Sequence, residues 1–484
     1  MGITGKALIE RGWPEGRVIG LALKAANAGE AGPTEGPDRE RELETLEQVR
    51  REPGRWTETD RYGELARELV RLQTPEPEPY RFREDAGFPV WGEHLIEPGA
   101  MEQMRNAMRL PISVAGALMP DAHLAYGLPV GGVLATEGAI IPYAIGVDIA
   151  CRMRLTVVDM DPASLEDGPT GEALKEVVVR NTNFGAGGSY KPGRRGMDHP
   201  VMESPLWEEV PFVKHKGLRE LGEAQLGTSG SGNHFVEIGE LVDLETQERK
   251  VAILSHSGSR GVGYKIADHF TKRAKELHPD LPDEYRELAW LEMDHDLGRE
   301  YHAAMTLAGE FAKANHEVIH AKIRRAMGVQ PLWVIDHHHN WAWTEEMDGR
   351  TVYVHRKGAT PAKPGQMGVI PGTMGDPGYV VRGLGRPESL HSAAHGAGRV
   401  MSRNRAFKEL SREEMQHYLS ERGITLIGGG LDEAPMAYKR IDEVIGLQED
   451  LVDVVARFTP RIVRMDAAGE PRRRKKKARV EGAV

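Results

Sequence analysis

Apolar and polar residues follow two different patterns along this chain. An amphipathic stretch runs from Val18 to Ala26, and residues 40–72 combine many charges with Leu and Val at helical spacing. A polar linker rich in Gly, Pro and Glu separates them at residues 27–39, and the Pro-Glu repeat within residues 74–79 ends regular structure because proline cannot continue a helix. This pattern predicts an N-terminal extension that ends near residue 85.

From Pro111 onward, short apolar runs alternate with Gly and Pro, which is typical of strands joined by tight loops. Residues 251–254 and 332–335 are predicted to be buried strands, and each runs directly into histidine. Residues 264–327 carry apolar side chains at helical spacing with an interruption around 279–282, which predicts two helices covering a sheet. The histidines of that segment are predicted to lie on the surface or to serve in packing: His278, His295, His302, His316 and His320.

Composition excludes several classes of protein. The 484 residues are 40% hydrophobic and 28% charged, as in a globular protein with a sizeable core. No window offers the roughly 20 apolar residues of a membrane span, and there is no signal-peptide pattern, so we predict a cytoplasmic protein. The net charge of −10 argues against nucleic-acid binding by the whole surface. The basic run at residues 472–477 is either a solvated end or a contact for RNA phosphates.

Cys151 is the only cysteine, and it is the first candidate for chemistry. A lone cysteine is most often a small buried apolar side chain. Here Asp148 stands three positions earlier, just after the apolar run 140–145. A carboxylate and a thiolate at this spacing can point to one place, and together they suit a transition metal.

Three histidines extend this candidate metal site. His234 follows a Gly-Ser-Gly turn, while His256 and His339 each follow a predicted strand. Each signal alone is weak. Together with the Asp/Cys pair they predict a metal site, for which softness alone would suit zinc as well as other transition ions.

His395 differs in character because it stands among small residues, in Ser-Ala-Ala-His-Gly-Ala-Gly, with Arg399 four positions on. A phosphate can approach such a histidine, which could then act as a nucleophile while the arginine offsets charge on the phosphoryl oxygens. The alternative is a packing histidine in a tight turn. Two glycine-rich stretches, 357–360 and 371–375, are predicted to cradle phosphates, although neither is a P-loop motif.

With these motifs in order, the chain resembles the RtcB family of RNA-splicing ligases. Six segments between residues 119 and 403 carry the resemblance: Met-Pro-Asp-Ala-His, Asp-Ile-Ala-Cys, Gly-Asn-His-Phe-Val-Glu, His-Ser-Gly-Ser-Arg-Gly, His-Asn and His-Gly-Ala-Gly-Arg. It implies an α+β fold, a single catalytic domain at 86–466 with a β-sandwich-like core flanked by helices. Residues 1–85 would then be an accessory extension with linkers, and residues 467–484 a basic tail predicted to be disordered.

The resemblance also implies a GTP-dependent RNA ligase with two Mn²⁺ ions. Such enzymes join an RNA 3′-phosphate or 2′,3′-cyclic phosphate to a 5′-hydroxyl through a guanylylated histidine, in RNA repair or tRNA splicing. Carried over by motif, the metal ligands would be Asp148, Cys151, His234, His256 and His339, with Cys151 bridging both ions. His395 would be the nucleophile, and Arg260 and Arg399 would hold phosphates. The nucleotide would contact Asn233, Glu237, Thr373, Gly396, Ala397, Gly398 and Tyr438, with Glu237 accepting hydrogen bonds from guanine.

The sequence also departs from the family pattern. Arg152 follows the cysteine where glycine is usual, which would put a large cation beside the proposed site. Ala150 precedes the cysteine where glycine is frequent, and Thr373 and Gly378 stand where serine is common. Arg464 is the candidate to replace a C-terminal lysine that the family supplies to the nucleotide. These differences predict a divergent paralogue and leave two alternatives to a ligase. One is a two-metal phosphoesterase or nucleotidyltransferase without sealing activity, and the other is a non-catalytic RNA-binding protein.

Overall fold

The chain forms two compact units, Met1–Tyr80 and Arg81–Val484. The computed structural model describes residues 3–14, 16–28, 37–73, 80–84, 87–166, 168–191 and 198–467. The predicted break at 74–79 and the predicted tail beyond Ala467 lie outside the described residues.

The first unit is helical. It contains α1 (Gly5–Ile9), α2 (Arg17–Ala26), α3 (Pro37–Arg51) and α4 (Gly63–Gln73). The amphipathic stretch predicted from the sequence is α2, and the charged stretch becomes α3 and α4. These helices share a core of their own, in which Leu8, Leu46 and Leu65 are buried.

The second unit mixes helices and strands. Its helices are α5 (Pro98–Arg109), α6 (Gly168–Asn181), α7 (Leu206–Glu209), α8 (Pro211–His215), α9 (Leu218–Gln225), α10 (Arg260–Leu277), α11 (Asp296–Met327), α12 (Arg403–Glu409), α13 (Arg412–Ser420) and α14 (Ile441–Gly446). Its strands are β1 (Ser113–His123), β2 (Val130–Glu137), β3 (Ala139–Ile140), β4 (Arg152–Val158), β5 (Phe235–Asp243), β6 (Arg249–Ser257), β7 (Leu291–Glu292), β8 (Pro331–His338), β9 (Asn340–Met347), β10 (Arg350–Lys357), β11 (Ala359–Pro361), β12 (Met367–Ile370), β13 (Gly378–Gly383), β14 (Ser392–Ala394), β15 (Thr425–Ile427) and β16 (Val452–Met465).

Two sheets form the core of this unit. The larger has the strand order β12-β13-β16-β5-β6-β4-β8, with β15 parallel to β16, and the smaller has the order β1-β2-β10-β9. Buried side chains of both sheets, including Met119 and Val133 of the smaller and Val381 of the larger, meet in one hydrophobic cluster. The larger sheet is nearly closed, since the Val369 N–H of β12 donates to His337 Nε2 of β8 over 2.9 Å. The predicted α+β class with a sandwich-like core is confirmed.

Helix α11 covers the other face of the larger sheet, where Ile319 and Ile323 pack against Val236 and Ile253. The prediction of two helices between the buried strands is confirmed by α10 and α11, which the segment around residues 279–282 separates. No helix among the described residues combines the length and apolar character that a membrane crossing needs.

Strand β8 corrects one prediction. Residues 251–254 are buried in β6 as expected, but Leu332, Trp333 and Val334 are 48%, 42% and 41% exposed. They are exposed because β8 is the last strand in the order of the larger sheet. Only Ile335 of the predicted run is buried.

Candidate metal and nucleotide site

Four adjacent strands bring the predicted metal ligands to one end of the larger sheet. Cys151 immediately precedes β4, and His234 immediately precedes β5. His256 lies at the end of β6, and His339 lies between β8 and β9. Because neighbouring strands here are antiparallel, the beginning of one strand lies beside the end of the next.

The donor atoms of these residues lie within hydrogen-bonding distance of one another. Cys151 Sγ is 3.0 Å from His256 Nε2 and 3.6 Å from His234 Nε2. His256 Nε2 is 3.2 Å from His339 Nε2, and His234 Nε2 is 2.9 Å from Asp148 Oδ2. Buried thiol and imidazole groups that converge in this way form a donor set suited to a transition ion. The donor atoms of these residues are therefore suited to bind a metal ion.

The second nitrogen of two imidazoles is held by a backbone carbonyl. His234 Nδ1 lies 2.8 Å from the Ser229 carbonyl oxygen, and His256 Nδ1 lies 3.0 Å from that of Asn233. Because a carbonyl only accepts, each Nδ1 carries the proton, and His256 Nε2 presents its lone pair to the cluster. Burial lowers the pKa of His256 to about 3 and that of His339 well below its usual value. Both rings are therefore neutral at physiological pH.

The two acidic groups respond to burial in different ways. Burial, reinforced by the charge of Asp148, raises the pKa of the Cys151 thiol well above its usual value. For Asp148, burial opposes ionisation, but the hydrogen bond and charge of His234 prevail and lower the pKa of the carboxyl to about 2. Since a metal binds the thiolate, loading of this site must release the Cys151 proton.

A buried amide supports the strand that carries His256. Asn315 of α11 donates from Nδ2 to the Thr228 carbonyl oxygen and to Ser257 Oγ, over 2.9 Å and 3.2 Å. Ser257 Oγ in turn donates to the Ser229 carbonyl oxygen, the same atom that holds His234 Nδ1. Three hydrogen bonds therefore connect Asn315 to His234, a predicted metal ligand.

A second chain of hydrogen bonds runs behind the site, and its direction can be deduced. His316 Nε2 must donate to the Ser257 carbonyl oxygen, 3.1 Å away, so its Nδ1 accepts from Ser255 Oγ over 2.7 Å. Ser255 Oγ then accepts from His320 Nε2, and His320 Nδ1 accepts from Thr156 Oγ1. The prediction that His316 and His320 serve in packing is thus refined, because both are buried members of a polar chain.

His395 stands directly after β14, with its ring close to the cluster. The centroids of its ring and that of His339 are 4.9 Å apart. Its Nδ1 lies 2.7 Å from Oδ2 of the fully buried Asp121, and the same oxygen accepts the N–H groups of His395 and Gly396. An aspartate that holds the Nδ1 proton leaves Nε2 free as a nucleophile or base. Our sequence interpretation gave Asp121 no role, although it stands in the Met-Pro-Asp-Ala-His segment.

A cavity of about 710 Å³ contains most of the predicted site residues. Those that line it are Asp148, Cys151, Asn233, His234, His256, His339, Thr373, His395, Gly396, Ala397, Gly398, Arg399 and Tyr438. Residues of both predicted phosphate cradles, Lys357–Gly358 and Pro371–Met374, also line it. The fold therefore brings these separate segments around one space.

Two predicted residues do not line this cavity. Arg260 lies beside His234 and donates from Nε to Thr228 Oγ1 over 3.1 Å. Glu237 lies on β5 two residues after Phe235, which lines the cavity, so both side chains project from the same face of the strand. Burial raises the pKa of the Glu237 carboxyl well above its usual value.

Arg399 is held by acidic and aromatic partners. Its Nη1 donates to Tyr438 Oη over 3.0 Å and to Glu433 Oε2 over 3.3 Å, and its guanidinium carbon lies 4.9 Å from the centroid of the Tyr438 ring. The buried Glu433 also pairs with Arg403. Sequence reasoning missed Glu433 and Arg403, since no motif pointed to them.

The departures from the family pattern have structural explanations. Arg152 does not place its cation at the site, contrary to our expectation, because it donates from Nε to Asp336 Oδ1 over 2.7 Å and does not line the cavity. Ala150 has a φ of 57°, a conformation that glycine adopts without strain. Arg464 was expected to approach the nucleotide, but its Nη1 donates to the Val178 carbonyl oxygen of α6 over 2.9 Å and it lies outside the cavity lining.

Comparison with known proteins identifies the family. The family model described as tRNA-splicing ligase RtcB matches residues 103–219 and 203–466. The chain therefore belongs to the RtcB family.

Named relatives agree with this assignment. The chain is 35% identical over 402 residues to the RNA-splicing ligase RtcB of Escherichia coli (strain K12), which covers 77% of this chain and 95% of the relative. It is 33% identical over 441 residues to the tRNA-splicing ligase RtcB of Archaeoglobus fulgidus, which covers 76% and 91%. The RNA-splicing ligase RtcB of Mycobacterium tuberculosis is 33% identical over 432 residues, covering 74% and 98%.

Proposed function

We propose that this protein is a GTP- and Mn²⁺-dependent RNA ligase. It would join RNA ends that carry a 3′-phosphate or 2′,3′-cyclic phosphate to 5′-hydroxyl ends, in RNA repair or tRNA splicing. The observation that carries the proposal is the position of His395. Its Nδ1 is 2.7 Å from Asp121, and its ring lies next to the Cys/His cluster in the same cavity. A cytoplasmic location stays a prediction.

In the first step, His395 Nε2 attacks the α-phosphorus of GTP. The P–N bond forms as the bond to the pyrophosphate oxygen breaks, so the products are guanylylated His395 and pyrophosphate. Asp121 accepts the hydrogen bond from the protonated Nδ1 of His395 and stabilises the positive charge that the imidazole ring acquires during attack. The Gly396 N–H also donates to Asp121, which fixes the loop around the nucleophile.

Two Mn²⁺ ions held by Asp148, Cys151, His234, His256 and His339 would act as Lewis acids on the phosphoryl oxygens. Arg260 and Arg399 would stabilise phosphate charge. To contact a phosphate, Arg399 must replace its hydrogen bonds to Glu433 and Tyr438 by hydrogen bonds to the phosphate oxygens. Arg260 lies beside His234 and does not line the cavity, so its charge would act through the ligand cluster.

The nucleotide would contact Asn233, Glu237, Thr373, Gly396, Ala397, Gly398 and Tyr438. The small residues after His395 let a phosphate approach the backbone N–H groups. Glu237 would accept hydrogen bonds from guanine, and because burial disfavours its charged form, those donors would stabilise the carboxylate.

Transfer of the GMP group and sealing would complete the reaction. In a 2′,3′-cyclic end, water must first attack the phosphorus and break its bond to the 2′-oxygen, which leaves a 3′-phosphate and a 2′-hydroxyl. A 3′-phosphate oxygen of the RNA then attacks the phosphorus of guanylylated His395, and the P–N bond breaks to free the imidazole. The 5′-hydroxyl then attacks the activated 3′-phosphorus and expels GMP. His395 takes no covalent part in this last step.

Incubation with Mn²⁺ and α-labelled GTP tests the nucleophile. We expect a protein adduct that survives SDS and alkali but is lost in acid, because P–N bonds to imidazole have that stability. His395→Ala should abolish the adduct while metal content stays unchanged, since His395 is not among the proposed ligands. An adduct that maps to His234 or His339 would show that nucleophile and ligand have been exchanged. Full GTP-dependent joining by His395→Ala would disprove the mechanism.

A second candidate is a nucleotidyltransferase that guanylylates without sealing RNA. It would need only His395 and the Cys/His cluster, which line the cavity, and not a bound RNA end. An end-joining assay with 3′-phosphate and 5′-hydroxyl RNAs separates the two. Labelling without joining supports the second candidate, and RNA binding without labelling supports a non-catalytic protein.

A further inference from the structure

One group of cavity residues has no assigned partner in the proposed reaction. It comprises Leu124, Tyr126, Val147 and Lys357, which come from the β1–β2 connection, the loop before β4 and the end of β10. Apart from Lys357, a predicted phosphate contact, none of them belongs to the proposed metal or nucleotide residues. This inference rests on the proposed function, in which an RNA end must also enter the cavity.

The apolar side chains of this group are exposed at the cavity. Tyr126 is 70% exposed, Leu124 52% and Val147 42%. Large apolar side chains that are grouped and exposed mark binding surfaces more often than isolated ones do. The ring of Tyr126 is inclined by only 22° to that of Tyr143, and the two ring centroids are 6.2 Å apart. The exposed ring therefore lies beside a second, nearly parallel aromatic ring.

Lys357 is buried beside this surface, and burial lowers the pKa of its ammonium group to about 7. An approaching phosphate would favour the charged form of the lysine. Its ammonium group donates to the carbonyl oxygens of Tyr126 and Tyr143 and lies 5.3 Å from the centroid of the Tyr143 ring. These partners carry no formal charge to neutralise the lysine. Glu287, which pairs with Lys275 at 2.7 Å, also acts on Lys357 and favours its charged form. Exposed aromatic rings beside cations are the combination that binds single-stranded nucleic acid by stacking and charge.

We propose that Tyr126 is a stacking platform for an unpaired RNA base next to the end that is joined, and that Lys357 receives a neighbouring phosphate. Glu97 also lines the cavity, but its Oε1 accepts the Leu124 N–H over 2.8 Å and orders this loop. RNA fits better than a protein partner because the rings open onto the reaction cavity itself. The ligand is thus single-stranded RNA. Tyr126 would contact the flat face of a base, which every base presents, so binding would show no sequence preference.

Fluorescence titration tests the proposal without GTP. The probes are short RNAs with 2-aminopurine as the terminal nucleotide, at the 5′-hydroxyl end in one and at the 3′-phosphate end in the other. Stacking on Tyr126 should quench at least one of them. Tyr126→Ala should remove the quenching and raise the Kd by about 5- to 100-fold, the range that corresponds to about 1–3 kcal/mol per stacked base. Tyr126→Phe should keep both within about twofold, because the ring is retained.

Two controls make the result specific. Trp333→Ala removes an equally bulky exposed ring on β8, outside the cavity lining, and should change neither quenching nor Kd. An RNA with an abasic terminal nucleotide should bind to wild type and to Tyr126→Ala with the same Kd, since the stacking partner is missing.

Other outcomes overturn the proposal. Equal quenching and equal Kd for wild type and Tyr126→Ala would show that no base stacks there, and would favour a protein contact. A raised GTP requirement for labelling of Tyr126→Ala would place guanine on this ring instead of RNA. Failure of the wild type to form a GMP adduct would refute the proposed function, but the RNA titration would still decide the role of Tyr126.

Discussion

Gly258 shows how a single residue shapes the candidate site. A Cβ atom at this position would overlap both carboxylate oxygens of Asp148. We predict that Gly258→Ala displaces Asp148 and weakens metal binding by about 10- to 100-fold, the usual effect of disturbing the support of a ligand. Metal content after equilibrium dialysis measures this. The control is Gly171→Ala in α6, where no atom lies within 4 Å, and unchanged loading in Gly258→Ala would contradict the prediction.

Individual residues also show what could be read from the sequence. The meeting of Cys151 and the strand-end histidines follows from antiparallel pairing, which places the start of one strand beside the end of the next. The direction of Arg152 was predicted wrongly, although neighbours on a strand face opposite sides. The role of Asp121 could not be predicted, because its partner His395 is 274 positions away and only the fold brings them together.

Ala150 illustrates a family feature whose reason only the backbone reveals. Its φ of 57° lies in the left-handed region, where glycine carries no steric penalty. The frequent glycine of the family at this position therefore reflects backbone shape. The family resemblance indicated that glycine is preferred at this position, and the left-handed backbone conformation of Ala150 explains why.

At the scale of elements, α11 supports the strands that carry the proposed metal ligands through Asn315. In Asn315→Ala, the Gly227 N–H and the Thr228 carbonyl oxygen would lose a buried partner. We predict a loss of about 2–4 kcal/mol in the free energy of unfolding, from two unsatisfied groups, together with faster metal release. Urea unfolding and release of Mn²⁺ to a chelator measure the two effects. Lys313→Ala, on the exposed side of the same helix, should change neither, and normal metal release from Asn315→Ala would contradict a positioning role.

Strand β8 shows where prediction from local pattern fails. The run Leu332–Ile335 has the apolar character of a buried strand, yet most of it is exposed. Burial depends on whether another strand lies on the outer side, and strand order is set by distant pairings. By contrast, α10 and α11 were predictable because helical periodicity is local.

At the scale of the whole molecule, buried neutral histidines make stability depend on pH. Burial lowers the pKa of His316 to about 3 and that of His355 to about 4, against 6.5 in a model peptide. Below pH 6.5 the unfolded chain therefore binds more protons than the folded one, so the free energy of unfolding falls as pH falls towards these values. For His355 the loss is about 3 kcal/mol by pH 4, at 1.36 kcal/mol for each pKa unit.

Urea unfolding at about pH 7.5, 6 and 5 measures this dependence. His355→Gln should flatten it, because the amide does not titrate. A free energy of unfolding that stays constant over this range would show that these histidines are not buried in the neutral form.

The basic run at residues 472–477 permits a prediction about RNA affinity. Deleting residues 470–484 should leave GMP labelling intact and weaken RNA binding in a salt-dependent way. Each lost phosphate contact should reduce the slope of log K against log salt by about 0.7. Replacing the six basic residues by serine keeps the length and should have the same effect. Loss of labelling would instead place the run in the nucleotide pocket.

Strand β16 lies in the middle of the larger sheet, between β13 and β5, although it is the last of the described strands along the chain. During synthesis, β5 and β13 leave the ribosome long before their shared neighbour. Until residues 452–465 emerge, both strands present an open edge, and open edges pair readily with other chains. A ribosome that stalls shortly before this strand would therefore release a product that aggregates. Edge-to-edge association is therefore the main hazard for the nascent chain until residues 452–465 have emerged.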